Sequence, residues 1–249
     1  EHRLAPDFYI PPELSGKERP LSMDWEYLAE LFLGGLTRGS IYALIALGYT
    51  MVYGVLKLIN FAHGDLFTIG AYLGLTLLTT LGLTNYLGPF GVVIVLALMV
   101  MGLVAIVGAA LERVAYRPLR QSHRLSAVVS ALGASIFFQN AVMLIYGARY
   151  KVYPHDILPR TAINIFGLDI PLIRLLMLLT SIVMMIGLYL FIQRTKIGTA
   201  IRAAAIDQGA AKLMGINVDR VIMIVFLIGP ALGGAAGLMV GLYYGRRAA

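Results

Sequence analysis

The chain lacks cysteine and a phosphate-binding loop, and each absence excludes a class of function. With no Cys among 249 residues, disulfide frameworks, thiolate metal sites and cysteine nucleophiles are all excluded. No G-x-x-x-x-G-K-[ST] pattern occurs, so the chain has no loop of that kind to bind ATP. The histidines lie in separate segments, without the spacing of metal ligands or of a catalytic set: His2, His63, His123 and His155. The sequence therefore predicts neither an enzyme nor a metal site, and no cofactor bound by this chain.

Charge is also scarce, at 13% of the residues, whereas 59% are hydrophobic. One soluble core could not bury so much apolar surface, and the mean hydropathy of +0.81 is typical of a polytopic membrane protein. The formal net charge is +7, and nine of the 20 Lys and Arg fall in segments 112–124 and 194–220. Basic clusters between apolar runs indicate membrane topology and not a nucleic-acid surface.

Long apolar runs predict an all-α fold, a transmembrane helix bundle. About six segments are expected, at 28–58, 66–83, 91–111, 125–145, 171–193 and 221–244. The first is too short for two spans of ~20 residues, so it is interpreted as an interfacial turn followed by one helix from about Ser40 to Leu58. Arg38 is interpreted as a boundary residue that reaches the headgroups. Drawn in this way, the spans contain no Asp or Glu, which disfavours a proton-coupled carrier.

The two basic segments predict the side of each loop. By the positive-inside tendency, 112–124 and 194–220 are cytoplasmic and the polar connection 147–170 is external. The side of the N-terminus stays open at this point. A fully crossing 66–83 places it outside, whereas a re-entrant 59–83 places it in the cytoplasm.

The first residues differ from the rest of the chain in composition. Residues 1–26 carry six acidic and three basic residues with four prolines, which excludes a signal peptide or a span. Met23 stands directly before the first apolar pattern. Residues 1–22 are therefore expected to be a disordered extension outside the native protein, and 23–249 a single membrane domain. An authentic acidic tail is the alternative.

Four polar residues within or between apolar runs are candidates for a translocation path. Asn60 and His63 belong to a polar corner from Ile59 to Asp65, and Gln139 and Asn140 lie inside the fourth run. Polar breaks at membrane depth persist only where protein or water satisfies them, so the corner is either an interfacial turn or part of a cavity. Gln139 and Asn140 either form hydrogen bonds between helices or line the same path.

Glycine recurs at every fourth position of the last apolar run. Small residues let a neighbouring helix approach closely, so the pattern predicts helix packing and not a ligand site. Because four residues exceed one 3.6-residue turn, this seam is expected to wind around the helix. Its members are Gly229, Gly233, Gly237, Gly241 and Gly245.

A polar, alanine-rich island from Gly198 to Arg220 separates the last two apolar runs. One or two short helices are expected in it, with Thr199 as a possible N-cap and Gly209 and Gly215 as helix ends. Since a connection needs only a few residues, the island is either a docking surface or an ordered loop without a partner. The candidate docking residues are an apolar knob of Ile201, Ala204, Ala205, Leu213 and Ile216, with Arg202 and Asp207 at its rim and Gly215 at its end.

Residues 35–74, GLTRGSIYALIALGYTMVYGVLKLINFAHGDLFTIGAYLG, resemble the permeases of branched-chain amino acid ABC transporters, whose hallmark is the I-N-F-A-H-G corner. Two further blocks agree, from Glu112 to Arg120 and from Arg202 to Ile216, and the similarity covers roughly residues 24–245. The resemblance implies a permease subunit in the inner membrane of a bacterium or archaeon. It also implies that the loop 194–220 couples to ATPases. Such permeases usually continue with further spans, so the chain is expected to be incomplete at its C-terminus.

The partners and substrate follow from the resemblance alone. They are a second permease subunit, two cytoplasmic ATPases that use ATP, and a periplasmic or lipid-anchored solute-binding protein. Leucine, isoleucine or valine is the expected substrate, while related permeases carry urea or short amides. A secondary carrier or facilitator not coupled to ATP is one alternative, and a non-transporting assembly subunit is another. Uptake that stops without the ATPases separates the first hypothesis from both.

Overall fold

The computed structural model describes residues 25–82, 87–120, 122, 124–149, 151, 153, 162–165 and 168–244. The predicted extension 1–22 and Gly245 lie outside these ranges. In chain order the helices and strands are α1 (Trp25–Leu56), α2 (His63–Leu81), α3 (Pro89–Leu111), α4 (Arg124–Tyr146), β1 (Ala162–Ile165), β2 (Leu168–Pro171), α5 (Leu172–Arg194), α6 (Lys196–Ile206), α7 (Gln208–Leu213) and α8 (Val218–Tyr244). A π-helical turn, Glu112–Tyr116, and a 3-10 turn, Arg117–Leu119, prolong α3.

The predicted helix bundle is confirmed. Six helices within the described ranges are long and apolar enough to cross a membrane, by length and composition. Helices α3, α4, α5 and α8 begin and end within three residues of the predicted runs. A short antiparallel hairpin, in which Ala162 pairs with Pro171, is an addition that the sequence analysis did not expect.

The first helix differs from its prediction. The interfacial turn expected before Ser40 is wrong, because α1 is one helix of 32 residues that starts at Trp25. Arg38 lies well inside α1 and not at its boundary, and its Nε donates a hydrogen bond to the Gly34 carbonyl oxygen at 3.2 Å. A long cationic side chain that bonds to its own helix does not interrupt it.

The expectation that the spans contain no Asp or Glu is also wrong. Glu30, Asp65, Glu112 and Asp219 all lie within helices that are candidate spans. Each has a polar partner: Glu30 pairs with Arg174 at 3.4 Å, Asp65 accepts from Ser135, and Glu112 and Asp219 both pair with Arg120. The argument that their absence gave against a proton-coupled carrier therefore no longer holds.

Helix α8 is the centre of the bundle. In its apolar window 78% of the residues are buried, compared with 11% to 33% in the other five candidate spans. It packs on α1, α2 and α3. In its first third, the fully buried Phe226 contacts the ring of Tyr116 with 5.0 Å between the centroids.

The described glycines of α8 lie where its neighbours come closest. A Cβ atom on Gly229 would lie 2.8 Å from the Gly48 carbonyl oxygen of α1, and one on Gly233 would lie 3.4 Å from the His63 ring of α2. Gly237 faces the backbone of α2 at Phe67 and Ala71, and Gly241 faces Tyr153. The seam thus passes from α1 to α2 as it ascends α8.

Contacts at the two ends of α1 give the direction of the helices. Near its start, Glu30 pairs with Arg174 at the start of α5, next to the hairpin. At its end, the Val55 carbonyl oxygen accepts from Nε2 of Gln208 in α7 at 2.7 Å. Because the island that contains Gln208 is predicted to be cytoplasmic, we expect α1 to begin on the external side.

The polar corner lies inside the bundle. A Cβ atom on Gly48 would lie 3.2 Å from Cε1 of His63, the first residue of α2. Gly48 is eight residues before the end of α1, a rise of about 12 Å at 1.5 Å per residue. The chain therefore turns back after α1 and starts α2 at depth, so the corner is not a turn at the membrane surface. From there α2 runs to the side of the 147–170 connection, whose Tyr153 donates to the Ala71 carbonyl oxygen at 2.5 Å.

Candidate functional site

Asn60 and His63 line one pocket, of about 450 Å³, between α1 and the start of α2. Both residues are only 2% exposed. Eight further described residues line the pocket, most of them aromatic or aliphatic: Tyr42, Ile45, Ala46, Tyr49, Thr50, Ile59, Phe61 and Gly64. Two buried polar side chains thus share one pocket with aromatic and aliphatic side chains, of which Tyr42 is 65% exposed.

The hydrogen bonds of Asn60 fix its orientation. Its Oδ1 accepts from the Ala62 backbone N–H at 3.1 Å and from the Tyr116 hydroxyl at 2.9 Å. An amide N–H can only donate, so the atom that faces Ala62 has to be the oxygen. The Nδ2 atom of Asn60 is then left with two N–H donors and no acceptor.

His63 fills the space between two helices. Its ring lies beside Gly48 and Gly233 and contacts Tyr49 edge to face, with 5.7 Å between the ring centroids. Neither ring nitrogen of His63 makes a hydrogen bond of normal geometry. Across the described part of the chain, no three His, Cys, Asp or Glu side chains are grouped so that they could hold a metal ion.

The structure does not bring Gln139 and Asn140 to this pocket. Both lie on the exposed side of α4 and bond within it: Nε2 of Gln139 donates to Oγ of Ser135 at 3.2 Å, and Nδ2 of Asn140 donates to the Ile136 carbonyl oxygen at 2.7 Å. Two hydrogen bonds join α4 to α2, one from Oγ of Ser135 to the Asp65 carboxylate and one between the hydroxyls of Tyr146 and Thr76 at 2.8 Å. The contact of Asp65 was not predicted, although Asp65 directly follows the I-N-F-A-H-G corner.

The island forms two short helices, α6 and α7, which is one of the two arrangements that the sequence predicted. Thr195, and not Thr199, is the N-cap of α6, since its Oγ1 accepts from the Gly198 N–H at 3.0 Å. Asp207 caps α7 and accepts from the N–H of Gly209 at 2.7 Å, so the helix end predicted at Gly209 is wrong. Gly215 follows α7 with a φ of 81°, which glycine adopts without strain.

Arg202 ties the island to the end of α5. Its Nη1 donates to the Ile192 carbonyl oxygen at 2.9 Å and to Oε1 of Gln193 at 2.6 Å. Gly198 lies against the same final turn, next to the carbonyls of Phe191 and Ile192. Arg202 is therefore a residue that orients α6 and not a rim residue with a free side chain.

The predicted knob does not form one exposed surface. Ile201 and Ala204 are buried against the chain itself, and Ala205 and Ile216 are half-buried. The most exposed apolar side chains are at the C-terminal ends of α6 and α7: Ile206 at 86%, Leu213 at 91% and Met214 at 82%. Ile206 and Met214 were missed, and their signal in the sequence is an apolar residue directly before Asp207 or Gly215.

A second cleft, of about 710 Å³, separates the island from the prolonged end of α3. Charged residues line it, among them Lys57, Arg117, Asp207 and Lys212. Arg120 bridges Glu112 and Asp219 at this cleft, and Glu112 is only 1% exposed. The segment 112–124, predicted as a loop, is thus largely a helical extension with an ion-paired end.

Comparisons with known proteins give one consistent result. The family model described as "Branched-chain amino acid transport system / permease component" matches residues 31–249. The chain is 41% identical over 228 residues to the high-affinity branched-chain amino acid transport system permease protein BraD of Pseudomonas aeruginosa, which covers 89% of the chain and 73% of that protein.

Two further relatives agree. The chain is 39% identical over 230 residues to the high-affinity branched-chain amino acid transport system permease protein LivH of Escherichia coli K12, with 90% of the chain and 74% of that protein covered. It is 28% identical over 211 residues to the probable branched-chain amino acid transport permease protein LivH of Methanocaldococcus jannaschii, with 82% and 63% covered. No solved structure matches the chain.

Proposed function

The chain belongs to the family of branched-chain amino acid transport system permease components, and from this premise we propose that it is one permease subunit of an importer for branched-chain amino acids. It is a multi-pass protein of the inner membrane. The observation that carries the proposal is the match of about 90% of the chain, at 38% to 41% identity, to proteins that bear that description. The substrate class is thus transferred from relatives.

Energy would come from two separate cytoplasmic ATPases, because the sequence has no phosphate loop of its own. Helices α6 and α7 are the proposed contact with them. What supports this role is that Ile206, Leu213 and Met214 expose apolar side chains on the predicted cytoplasmic side. Ile201, Ala204, Ala205, Asp207, Gly215 and Ile216 would shape and cap the two helices behind that surface.

A rigid connection to the bundle fits this role. Arg202 fastens α6 to α5, and Gln208 fastens α7 to the end of α1. A push on the island would therefore reach two long helices as a rigid-body movement. The other proposed partners are a second permease subunit and a solute-binding protein on the external side, and no enzymatic activity or resident cofactor is proposed for this chain.

The proposal is tested by Leu213→Glu in the assembled transporter. A charge buried unpaired in a subunit contact weakens it strongly, so we expect the ATPases to be lost on purification and leucine uptake to stop. Val114→Glu is the matched control, because Val114 is also an exposed apolar residue, at 77%, on the prolonged end of α3. If Leu213→Glu retained ATPase and uptake, the island would not be the coupling surface.

A second measurement separates the importer from a facilitator. Labelled leucine uptake is followed in proteoliposomes that contain the permeases and binding protein, with and without the ATPase subunits. The proposal expects uptake only with the ATPases and ATP. Equal uptake without them would contradict an ATP-driven importer.

A further inference from the structure

The Asn60 pocket is built to accept a ligand that brings hydrogen-bond acceptors. The Oδ1 atom of Asn60 accepts two hydrogen bonds, whereas its Nδ2 atom donates none, although the residue is 98% buried. An amide donor buried without a partner costs free energy that a bound acceptor recovers. An acceptor on a ligand would therefore complete a site that is otherwise unsatisfied.

The absence of charged residues from the lining limits the chemical class of the ligand. None of the described residues that line this pocket is Lys, Arg, Asp or Glu. A ligand with a net charge would have to leave water without a counter-charge, which is costly at this depth. The lining therefore favours a molecule without net charge. In a zwitterion each charged group still needs a polar partner, which the Nδ2 donors of Asn60 can supply to a carboxylate and the acceptor nitrogen of His63 to an ammonium.

The apolar part of the pocket favours an aliphatic group. Ile45, Ala46 and Ile59 lie on the same cavity as Asn60, and a volume of about 450 Å³ is within the range of small-molecule sites. An aliphatic side chain placed there would remove apolar surface from water, at roughly 25 cal/mol per Å². Urea has no aliphatic group that could contact these apolar side chains.

We propose that this pocket is a subsite for the transported amino acid, in which the Nδ2 hydrogens of Asn60 donate to its carboxylate and its aliphatic side chain contacts Ile45, Ala46 and Ile59. His63 lies beside Asn60 with one ring nitrogen able to donate and one able to accept. The inference rests on the proposed function for the identity of the cargo, and adds the part of the cargo that is recognised and the residue that recognises it.

The first test is Asn60→Asp in the assembled transporter. This substitution keeps an oxygen for Ala62 and Tyr116 but removes both Nδ2 donors and opposes a carboxylate. We expect the initial rate of ATP-dependent leucine uptake to fall about tenfold or more, with subunit yield unchanged. The control is Asn217→Asp, the same change at an exposed residue outside the apolar spans whose Oδ1 accepts from the Arg220 N–H, which should keep uptake close to the wild-type rate.

A second test does not depend on the tolerance of Asn60 to change. Because the chain has no Cys, Ala46→Cys places a single thiol in the pocket, and Gly35→Cys places one on α1 where a Cβ atom contacts nothing within 4 Å. The wild-type chain in the same complex gives the background from partner cysteines. We expect excess leucine to slow alkylation of Ala46→Cys severalfold and to leave Gly35→Cys unaffected.

Related compounds identify the group that is recognised. Isoamyl alcohol keeps the aliphatic chain and has no net charge but lacks the carboxylate, so it should protect Ala46→Cys poorly, and urea should not protect at all. Equal protection by isoamyl alcohol, or protection by urea in place of leucine, would overturn carboxylate recognition. Leucine uptake that survives Asn60→Asp together with unprotected Ala46→Cys would overturn the site itself. A failed importer is recognised separately, since the wild-type complex would then show no ATP-dependent leucine uptake.

Discussion

Gly48 and Gly229 meet backbone to backbone where α1 crosses α8. A Cβ atom on Gly48 would lie 2.6 Å from the Gly229 carbonyl oxygen, and one on Gly229 would lie 2.8 Å from the Gly48 carbonyl oxygen. The contact is reciprocal, so neither glycine can gain a side chain without moving a helix. This pair holds the helix that precedes the polar corner against the centre of the bundle.

We expect Gly229→Ala to destabilise the protein by about 1 to 3 kcal/mol, because its methyl group meets the Gly48 carbonyl oxygen at 2.8 Å and Cγ2 of the buried Val52 at 2.9 Å. Gly102→Ala on α3 is the control, since a Cβ atom there contacts nothing within 4 Å. It should be neutral or stabilising, as Ala is a better helix former than Gly. Thermal unfolding in detergent measures both. Equal melting temperatures for the two variants would show that α8 can shift to relieve the contact.

Removal of Arg120 should leave Glu112 as a buried carboxylate without its partner. The loss of one member of a buried ion pair costs about 3 to 5 kcal/mol, and Glu112 is 1% exposed. Arg120→Ala should therefore unfold at lower denaturant than the wild type, and adding Glu112→Gln should recover part of the loss. Arg113→Ala, at an exposed position on the same turn, should stay within about 0.5 kcal/mol of the wild type. An additive double variant would argue against the pair.

Arg202→Ala should separate ATP hydrolysis from transport. The substitution removes the bonds of α6 to Ile192 and Gln193 at the end of α5, while it leaves Leu213 and Met214 exposed. We expect the ATPases to stay bound and to hydrolyse ATP, with fewer leucine molecules transported per ATP. Arg220→Ala, on the exposed start of α8, is the control. An unchanged ratio of leucine transported to ATP hydrolysed would show that the hydrogen bonds between α6 and α5 do not couple hydrolysis to transport.

Single thiols test the orientation of the bundle. Ser122→Cys lies next to the prolonged end of α3 and should react with an impermeant maleimide only after the cells are broken. Lys151→Cys in the 147–170 connection, and Leu28→Cys near the start of α1, should react in intact cells. Labelling of Ser122→Cys from outside would reverse the orientation, and protection of Leu28→Cys would contradict the external start of α1.

The helix ends that the sequence predicted best are those marked by a proline or a charged residue. Pro89 opens α3, and Arg194 closes α5, so composition alone located both to within two residues. The start of α1 was missed because Glu30 and Arg38 were treated as interruptions, whereas Arg174 and the Gly34 carbonyl oxygen satisfy them. Arg174 is far from Glu30 in the sequence, and Gly34 becomes a neighbour of Arg38 only once the helix has formed. Neither partner can therefore be recognised from the order of residues alone.

Depth in the membrane was the other property that the sequence could not provide. The I-N-F-A-H-G corner was recognised as polar, but its position beside Gly48 and Gly233 depends on how α1 and α8 pack. Gln139 and Asn140 were grouped with it by polarity alone, and their helix presents them elsewhere. The regular spacing of the α8 glycines was visible, whereas Gly48 has no such spacing and was missed.

The central place of α8 has a consequence for biosynthesis. A chain emerges from the ribosome N-terminal end first, at ~5 to 20 residues per second, so Gly229 follows Gly108 of α3 by on the order of ten seconds. During that interval the glycine-lined faces of α1, α2 and α3, with His63 and Asn60 between them, have no α8 to cover them. The insertion machinery or a lipid must occupy that groove until the helix arrives. Substitutions such as Gly48→Ala would then act at the step at which α8 docks, since the new methyl group meets the Gly229 carbonyl oxygen, and would appear as lower yield and faster degradation.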